Sequence, residues 1–221
     1  MKTQRMTTKY IALIAMFTAV SYVLVLISKV IPNVAGFLSY EPKDAMIAIA
    51  GFIMGPMACF LISLIVSFIE MITISATGPY GLLMNIVSTC AFTVPAAVIY
   101  KKMHSRNGAL VGLVSGVLIM VACMLIWNYT VTPFYMGVDR EVVAGMLMSI
   151  FLPFNLIKGG LNAALAMILY KPLVTALRKA KLVDESKSAP KKYFSIGHFI
   201  ALIAVLATLA FLFLSLAGVI K

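Results

Sequence analysis

The fold is decided by GALVGLVSGVLIMVACMLIW, residues 108–127, a run of 20 residues without one charged side chain. A helix of about 20 residues is about 30 Å long, which matches the hydrocarbon core of a bilayer. The run at 44–54 is too short to cross alone, so we expect a half-span buried among other helices. It joins the next run through a turn at Gly55 and Pro56. Further apolar runs cover residues 10–31, 56–74, 80–100, 142–170 and 195–220. The pattern predicts an all-α membrane protein.

Composition supports lipid as the solvent for most of the chain. Its 221 residues are 62% hydrophobic and 11% charged, whereas a soluble domain carries about 25% charged residues. The net charge of +11 could suggest nucleic-acid binding, but the basic residues form short clusters between apolar runs, so no nucleic-acid partner is expected. Cysteines 59, 90 and 123 form no CxxC pair, which argues against a disulfide framework or a zinc site.

Basic residues predict the orientation and the domain boundaries. Thirteen of the 18 Lys and Arg lie in the first nine residues, in 101–106 and in 171–192, and the positive-inside rule makes these segments cytoplasmic. The first run, 10–31, is too long for a cleavable signal peptide and is interpreted as a permanent span. The resulting organisation is a six-helix membrane domain (1–178), a basic cytoplasmic linker (179–194) and an additional transmembrane helix (195–221). The N-terminus is then cytoplasmic and the C-terminus extracellular.

Catalytic and energy-coupling motifs are absent from the sequence. It holds no GxxxxGK[ST] phosphate loop, no HExxH and no GxSxG. Glu70 is the only acidic residue well inside a predicted span, which disfavours a self-contained proton-coupled carrier. We therefore expect a binding protein rather than an enzyme, with no catalytic cofactor and no metal.

Polar residues inside the last span of the membrane domain share one helical face. Asn155, Lys158 and Asn162 follow the spacing i, i+3, i+7. The charge of Lys158 is costly against lipid, so this face should point into the bundle. An amide and an ammonium one turn apart can bind the polar edge of a ligand, and Asn128 at the outer end of the preceding helix could join them.

Other polar and aromatic residues allow two interpretations. Asn85 either forms a hydrogen bond to another helix or contacts a ligand. Glu70 either contacts a ligand or forms an ion pair with a buried lysine such as Lys158. Tyr40 and Tyr80 belong either to the interfacial aromatic belt or to a stacking wall for a flat ligand.

The first span carries small residues at i, i+3 and i+7, namely Ala12, Ala15 and Ala19. Such a stripe lets another helix approach closely, either inside the bundle or from a partner protein.

Several segments resemble the substrate-binding S components of energy-coupling factor (ECF) transporters, over residues 9–178. They are similar to the riboflavin-specific members in particular. The segments are YEPKD (40–44), IEMITIS (69–75) running on to Gly78, NIVSTC (85–90), WNY (127–129) with Pro133, and FLPFNLIKGG (151–160).

The resemblance implies a function, partners and a site. It implies import of riboflavin, driven by two ATPase subunits acting through a transmembrane T component that docks on the alanine stripe. It implies flavin contacts by Asn128, Asn155 and Lys158, with Tyr40 packing on the ring system. The resembling segments and the polar faces complete the candidate site with Glu41, Lys43, Glu70, Gly78, Tyr80 and Asn85. The alternatives are an S component for thiamine, folate, biotin or a queuosine precursor, and a secondary transporter.

Overall fold

The computed structural model describes residues 7–75, 77–183 and 196–219, with backbone alone for 196–199. Helices make up nearly all of these residues. Their bounds are α1 Thr8–Ser28, α2 Lys43–Met54, α3 Pro56–Thr73, α4 Gly78–Met103, α5 Arg106–Thr130, α6 Thr132–Met136, α7 Arg140–Met146, α8 Leu152–Lys179 and α9 Ile196–Leu216, with a π-helical segment Leu147–Phe151 between α7 and α8.

Five helical segments among the described residues are long and apolar enough to cross a membrane. They are α1, α3, α4, α5 and the segment Arg140–Lys179, in which α7, the π-helical turn and α8 follow one another. The all-α multi-pass architecture is thus confirmed. The finer prediction of six spans plus one stays a prediction, because α2 has 12 residues and the described apolar part of α9 is Ile200–Leu216.

Helix α2 lies in the interior of the bundle, as expected for a half-span. All of its residues except Ile53 are buried, and it packs against α1, α3, α4 and α8. Gly55 ends it with a φ of 94°, a conformation that glycine adopts easily, and Pro56 begins α3. A helix surrounded by protein can end at mid-depth because its terminal polar groups do not meet lipid.

The closest helix pair is α4 with α5, and glycine makes it possible. A Cβ on Gly112 would lie 2.7 Å from the carbonyl oxygen of Ala96, and one on Gly116 would collide with the carbonyl oxygen of Phe92. Small residues four apart let two helix backbones touch along a shared line. This pair forms one wall of the bundle.

Two helix ends differ from the sequence expectation. The first helix ends at Ser28, not at residue 31, because Lys29, Val30 and Ile31 bond to carbonyls three residues back in tighter turns. Helix α8 continues through Pro172 to Lys179, nine residues beyond the end of the apolar run at residue 170. Burial of Val174 and Leu177 explains why the helix continues beyond the proline.

Helix α9 packs antiparallel along α8 with most of its surface exposed. Leu209 lies against Gly160, and Phe213 lies against Phe154 farther toward the start of α8. Other side chains of this helix, such as Ile203 and Phe211, are 45% and 56% exposed. The expected peripheral position of this helix agrees with its contacts. Most of the predicted linker, from residue 184 to residue 194, lies outside the described residues.

Candidate functional site

A cavity of about 360 Å³ opens beneath the loop between α1 and α2. Its volume falls in the range of pockets for small organic ligands. Side chains from the loop, α3, α4, α5, α6 and α8 line it. These include Lys29, Asn33, Phe37, Ser39, Glu41, Glu70, Ser75, Met84, Asn85, Ser88, Met124, Asn128, Tyr135, Phe154, Asn155 and Lys158.

Asn155 is positioned by the turn that follows the π-helical segment. Its Nδ2 donates to the carbonyl oxygen of Phe151 at 2.7 Å, and the side chain is 3% exposed. The Oδ1 atom accepts no hydrogen bond from the residues that the structure describes. The Oδ1 atom of Asn155 is therefore a free acceptor at the cavity wall. It lies next to a π-helical turn, a feature that often occurs at functional sites.

Lys158 lies one turn farther along the same face and is 6% exposed, facing the bundle interior as expected. Its Nζ is 3.9 Å from Glu41 Oε2 and 4.0 Å from Asp44 Oδ2. Both distances exceed hydrogen-bond length, and none of the described residues accepts a hydrogen bond from this ammonium. A buried ammonium with its donors unused can bind a polar ligand atom.

Asn128 supplies a third polar group, from the end of α5. Its Nδ2 donates to the Met124 carbonyl at 2.7 Å, and its Oδ1 accepts from Thr132 Oγ1 at 2.8 Å. These two bonds orient the carboxamide and leave one N–H free, because an amide nitrogen carries two. The cavity therefore combines an acceptor, an ammonium and an amide donor.

A buried charge cluster contributes Glu41, Glu70 and Asn85 to the wall of the cavity. Lys43 Nζ is 2.7 Å from Glu70 Oε2 and 2.8 Å from Glu41 Oε2, and its side chain is 1% exposed. Asn85 Nδ2 also donates to Glu70 Oε2, at 3.0 Å. Glu70 therefore does pair with a buried lysine, one of its two predicted roles, but the partner is Lys43 and not the suggested Lys158, because α2 lies between α3 and α8.

Glu41 is held ionised by the two lysines beside it. Burial by itself would raise the pKa of its carboxyl group, but the ammonium groups of Lys43 and Lys158 outweigh burial and lower the pKa to about 2. Glu41 thus carries a full negative charge at neutral pH. This negative charge attracts the Lys158 ammonium electrostatically, while the N–H donors of Lys158 stay free for a ligand.

Asn162 connects the last membrane-domain helix to the start of α2. Its Oδ1 accepts from the Ala45 backbone N–H at 3.1 Å, and its Nδ2 donates to the Glu41 carbonyl at 3.2 Å. The sequence placed Asn162 on the same face as Asn155 and Lys158. Its role in positioning Glu41 depends on a contact across 121 residues, which sequence spacing cannot reveal.

Comparison with known proteins assigns the family. Residues 9–170 match the family described as ECF transporter, substrate-specific component. That match covers well over half of the chain. The chain belongs to the substrate-specific components of ECF transporters. As an S component it is one part of a multi-component transport system in the membrane, and it is a transport protein rather than an enzyme.

Similar proteins agree with this assignment. The riboflavin transporter FmnP of Bacillus subtilis (strain 168) is 27% identical over 194 residues, covering 80% of this chain and all of that protein. The riboflavin transporter RibU of Staphylococcus aureus (strain TCH60) is 27% identical over 177 residues, covering 77% of this chain and 93% of that protein. A solved S component of a bacterial ECF transporter is 28% identical with a TM-score of 0.66, covering 77% of this chain and 98% of that one.

Six of the ten ligand-contact residues expected from the sequence line the cavity of this S component, and four do not. Lys43 is the buried partner of Glu41 and Glu70. Tyr40 is buried and packs on Phe213 of α9, with ring centroids 5.7 Å apart, instead of facing the cavity. The lining residues from the expected set are Glu41, Glu70, Asn85, Asn128, Asn155 and Lys158.

The other two residues outside the lining lie at the start of α4. Gly78 is its first residue, with a φ of 55°, and Tyr80 is 48% exposed. The Tyr80 ring lies 6.0 Å from that of Tyr135, which does line the cavity. Sequence reasoning missed the lining residues Lys29 and Asn33, because they occur at the end of the first apolar run, where they resemble ordinary interfacial residues.

The alanine stripe of α1 lies on the outside of this S component. Ala12, Ala15 and Ala19 are all exposed, whereas Leu13, Ile14 and Phe17 between them are buried. The stripe is therefore not part of internal packing. It presents a smooth surface along one helix, which fits close approach by another helix.

Proposed function

We propose that this S component binds riboflavin in the cavity beneath the loop between α1 and α2 and delivers it for import. The observation that carries the proposal is the buried Lys158 ammonium, one turn from Asn155, with no hydrogen bond to any described residue. A ligand that bonds to the ammonium of Lys158 and to Oδ1 of Asn155 removes the cost of burying these atoms without hydrogen bonds. The names of the relatives, riboflavin transporters, supply the ligand.

The chemistry of riboflavin suits the groups in the cavity. The pyrimidine ring of a flavin presents two carbonyl oxygens flanking an N–H, so its edge needs donors on both sides of an acceptor. Lys158 and the free N–H of Asn128 are donors, and Asn155 Oδ1 is an acceptor. Apolar side chains such as Phe37, Met84 and Phe154 line the same cavity and suit the flat ring system.

We further propose that the T component docks on the exposed alanine stripe of α1. The T component and two ATPase subunits would supply the energy that this S component lacks. A tight site empties only when a partner favours a conformation with lower affinity. The cytoplasmic N-terminus and extracellular C-terminus expected from the basic residues belong to the same proposal.

The test is a titration of the purified protein with riboflavin, followed by quenching of flavin fluorescence. Parallel titrations add thiamine, folate or biotin in excess as competitors. The proposal predicts saturable quenching at one site per chain that none of the three competitors reverses. Displacement of riboflavin by one of them would reassign the vitamin, and absence of quenching would reject a flavin site.

A further inference from the structure

Helix α9 contributes one side chain to the packing that surrounds the cavity. Phe213 is 3% exposed, in contrast to the lipid-facing residues of the same helix. Its ring lies 5.7 Å from that of Tyr40 in the loop and 6.3 Å from that of Phe154 in α8. Phe154 lines the cavity, so Phe213 is one residue removed from a bound ligand.

The face of α9 that packs is continuous and has helical spacing. Leu206, Leu209, Ala210, Phe213, Leu216 and Ala217 follow one another at intervals of one or three residues along one side of the helix. They join a hydrophobic cluster that is separate from the main core of the bundle. The cluster also contains Val34, Leu38 and Tyr40 of the loop, together with Phe151 and Phe154. The loop over the cavity thus rests partly on α9.

The loop has few other aromatic attachments among the described residues. Phe37 packs on Phe151 with ring centroids 6.0 Å apart, and Tyr40 packs on Phe213. Inside the loop, Val34 and Leu38 pair through their backbones, and Ser39 Oγ donates to Asn33 Oδ1. The hydroxyl group of Tyr40 has no hydrogen-bond partner among described residues, so ring packing is what anchors this side chain.

We propose that α9 is a brace that holds the loop over the cavity, with Phe213 as the positioning residue. Asn33, Phe37 and Ser39 of the loop form part of the lining, so movement of this loop changes the space through which a ligand enters and leaves. Phe213 therefore sets the residence time of the ligand and the frequency with which the loop opens without it. The statement about residence time rests on the proposed function; the statement about loop opening does not.

The variant to examine is Phe213→Ala, with Phe211→Ala as the matched control. Phe211 belongs to the same helix but is 56% exposed, so its loss tests for general effects on α9. Phe213→Leu is the conservative variant, which keeps an apolar side chain in contact with the loop. Each is made in the full-length protein.

Two measurements separate the brace from the ligand assignment. Stopped-flow fluorescence should show riboflavin dissociating about tenfold faster from Phe213→Ala, as expected for the loss of aromatic pairing, with Phe213→Leu between it and the wild type. The second measurement uses protein without ligand in which the three native cysteines are replaced and the buried Leu38 is changed to cysteine (Leu38→Cys). This thiol should react with a maleimide about tenfold faster when Phe213→Ala is also present, because the loop opens more often. Phe211→Ala should change neither rate.

The outcomes are distinct. If riboflavin does not bind the wild type but labelling at position 38 still accelerates with Phe213→Ala, the brace stands and the riboflavin assignment fails. If riboflavin binds but Phe213→Ala behaves like Phe211→Ala in both measurements, α9 is only an attached helix and the brace is overturned.

Discussion

Lys158 and Lys43 are both buried lysines, but they differ in their distance from the nearest carboxylates. We therefore expect Lys43 to stabilise the fold and Lys158 to bind the ligand. Lys43 lies within 2.8 Å of two carboxylates, whereas the ammonium of Lys158 comes no nearer than 3.9 Å to any acid within the described ranges. Removal of Lys43, which lies close to two carboxylates, should lower the stability of the fold. Removal of Lys158, whose ammonium makes no hydrogen bond to the described residues, should mainly lower the affinity for the ligand.

The first prediction concerns the cavity. Lys158→Ala and Asn155→Ala should each weaken riboflavin binding about ten- to a hundredfold, because a hydrogen bond to a charged group contributes about 1.5–3 kcal/mol and a buried polar group left without its partner costs about 1–3 kcal/mol. Fluorescence titration of each purified variant measures the change. Lys171→Ala, on an exposed part of the same helix, is the control and should bind like the wild type. Unchanged affinity in both cavity variants would disprove the site assignment.

The second prediction concerns the charge cluster. Lys43→Met should lower the free energy of unfolding by about 3–5 kcal/mol, because it leaves Glu70 and Glu41 buried without their closest cation. Thermal unfolding in detergent would show a lower midpoint. Lys29→Met should have a small effect, since the Lys29 side chain is 41% exposed and 3.8 Å from Glu70.

A double variant tests the cause. Lys43→Met with Glu70→Gln removes one charge of each sign and should recover much of the lost stability. Additive losses in the double variant would mean that packing of the Lys43 side chain, and not charge balance, explains the effect.

Helical periodicity decided how much of the site could be predicted from the sequence. Asn155 and Lys158 share a face on any helix, so their common direction followed from spacing alone. The partner of Glu70 could not be predicted, because it depends on where α2 lies between the other helices. The apolar run ends at residue 170, whereas α8 continues to Lys179, because burial of Val174 and Leu177 stabilises the helix beyond Pro172. The contact of Tyr40 with Phe213 joins distant segments and leaves no local pattern.

At the scale of elements, α1 has one buried face and one exposed face, which we propose as the docking surface for a partner. Ala15→Trp or Ala19→Trp should leave riboflavin binding unchanged and abolish riboflavin uptake by cells, because a large side chain keeps a partner helix at a distance. Leu118→Trp, at a 59% exposed position of α5, is the control and should preserve uptake. Loss of binding in the α1 variants would show that the bundle, not the docking surface, is disturbed.

At the scale of the whole molecule, the positive-inside rule predicts the orientation of the helices in the membrane. In a background without native cysteines, Gly137→Cys should react with a membrane-impermeant maleimide added to intact cells. His104→Cys, in the turn between α4 and α5, should react only after the cells are opened. The reverse labelling pattern would show that the orientation in the membrane is opposite to the predicted one, with the cavity on the cytoplasmic side.

Whether this S component carries riboflavin is tested most directly by the colour of the purified protein. Protein incubated with riboflavin and separated from free ligand by gel filtration should be yellow, with flavin absorbance in the protein peak. Chromatography and mass spectrometry of the denatured sample should then identify the released ligand as riboflavin. Folded protein that stays colourless after this treatment would contradict the assignment.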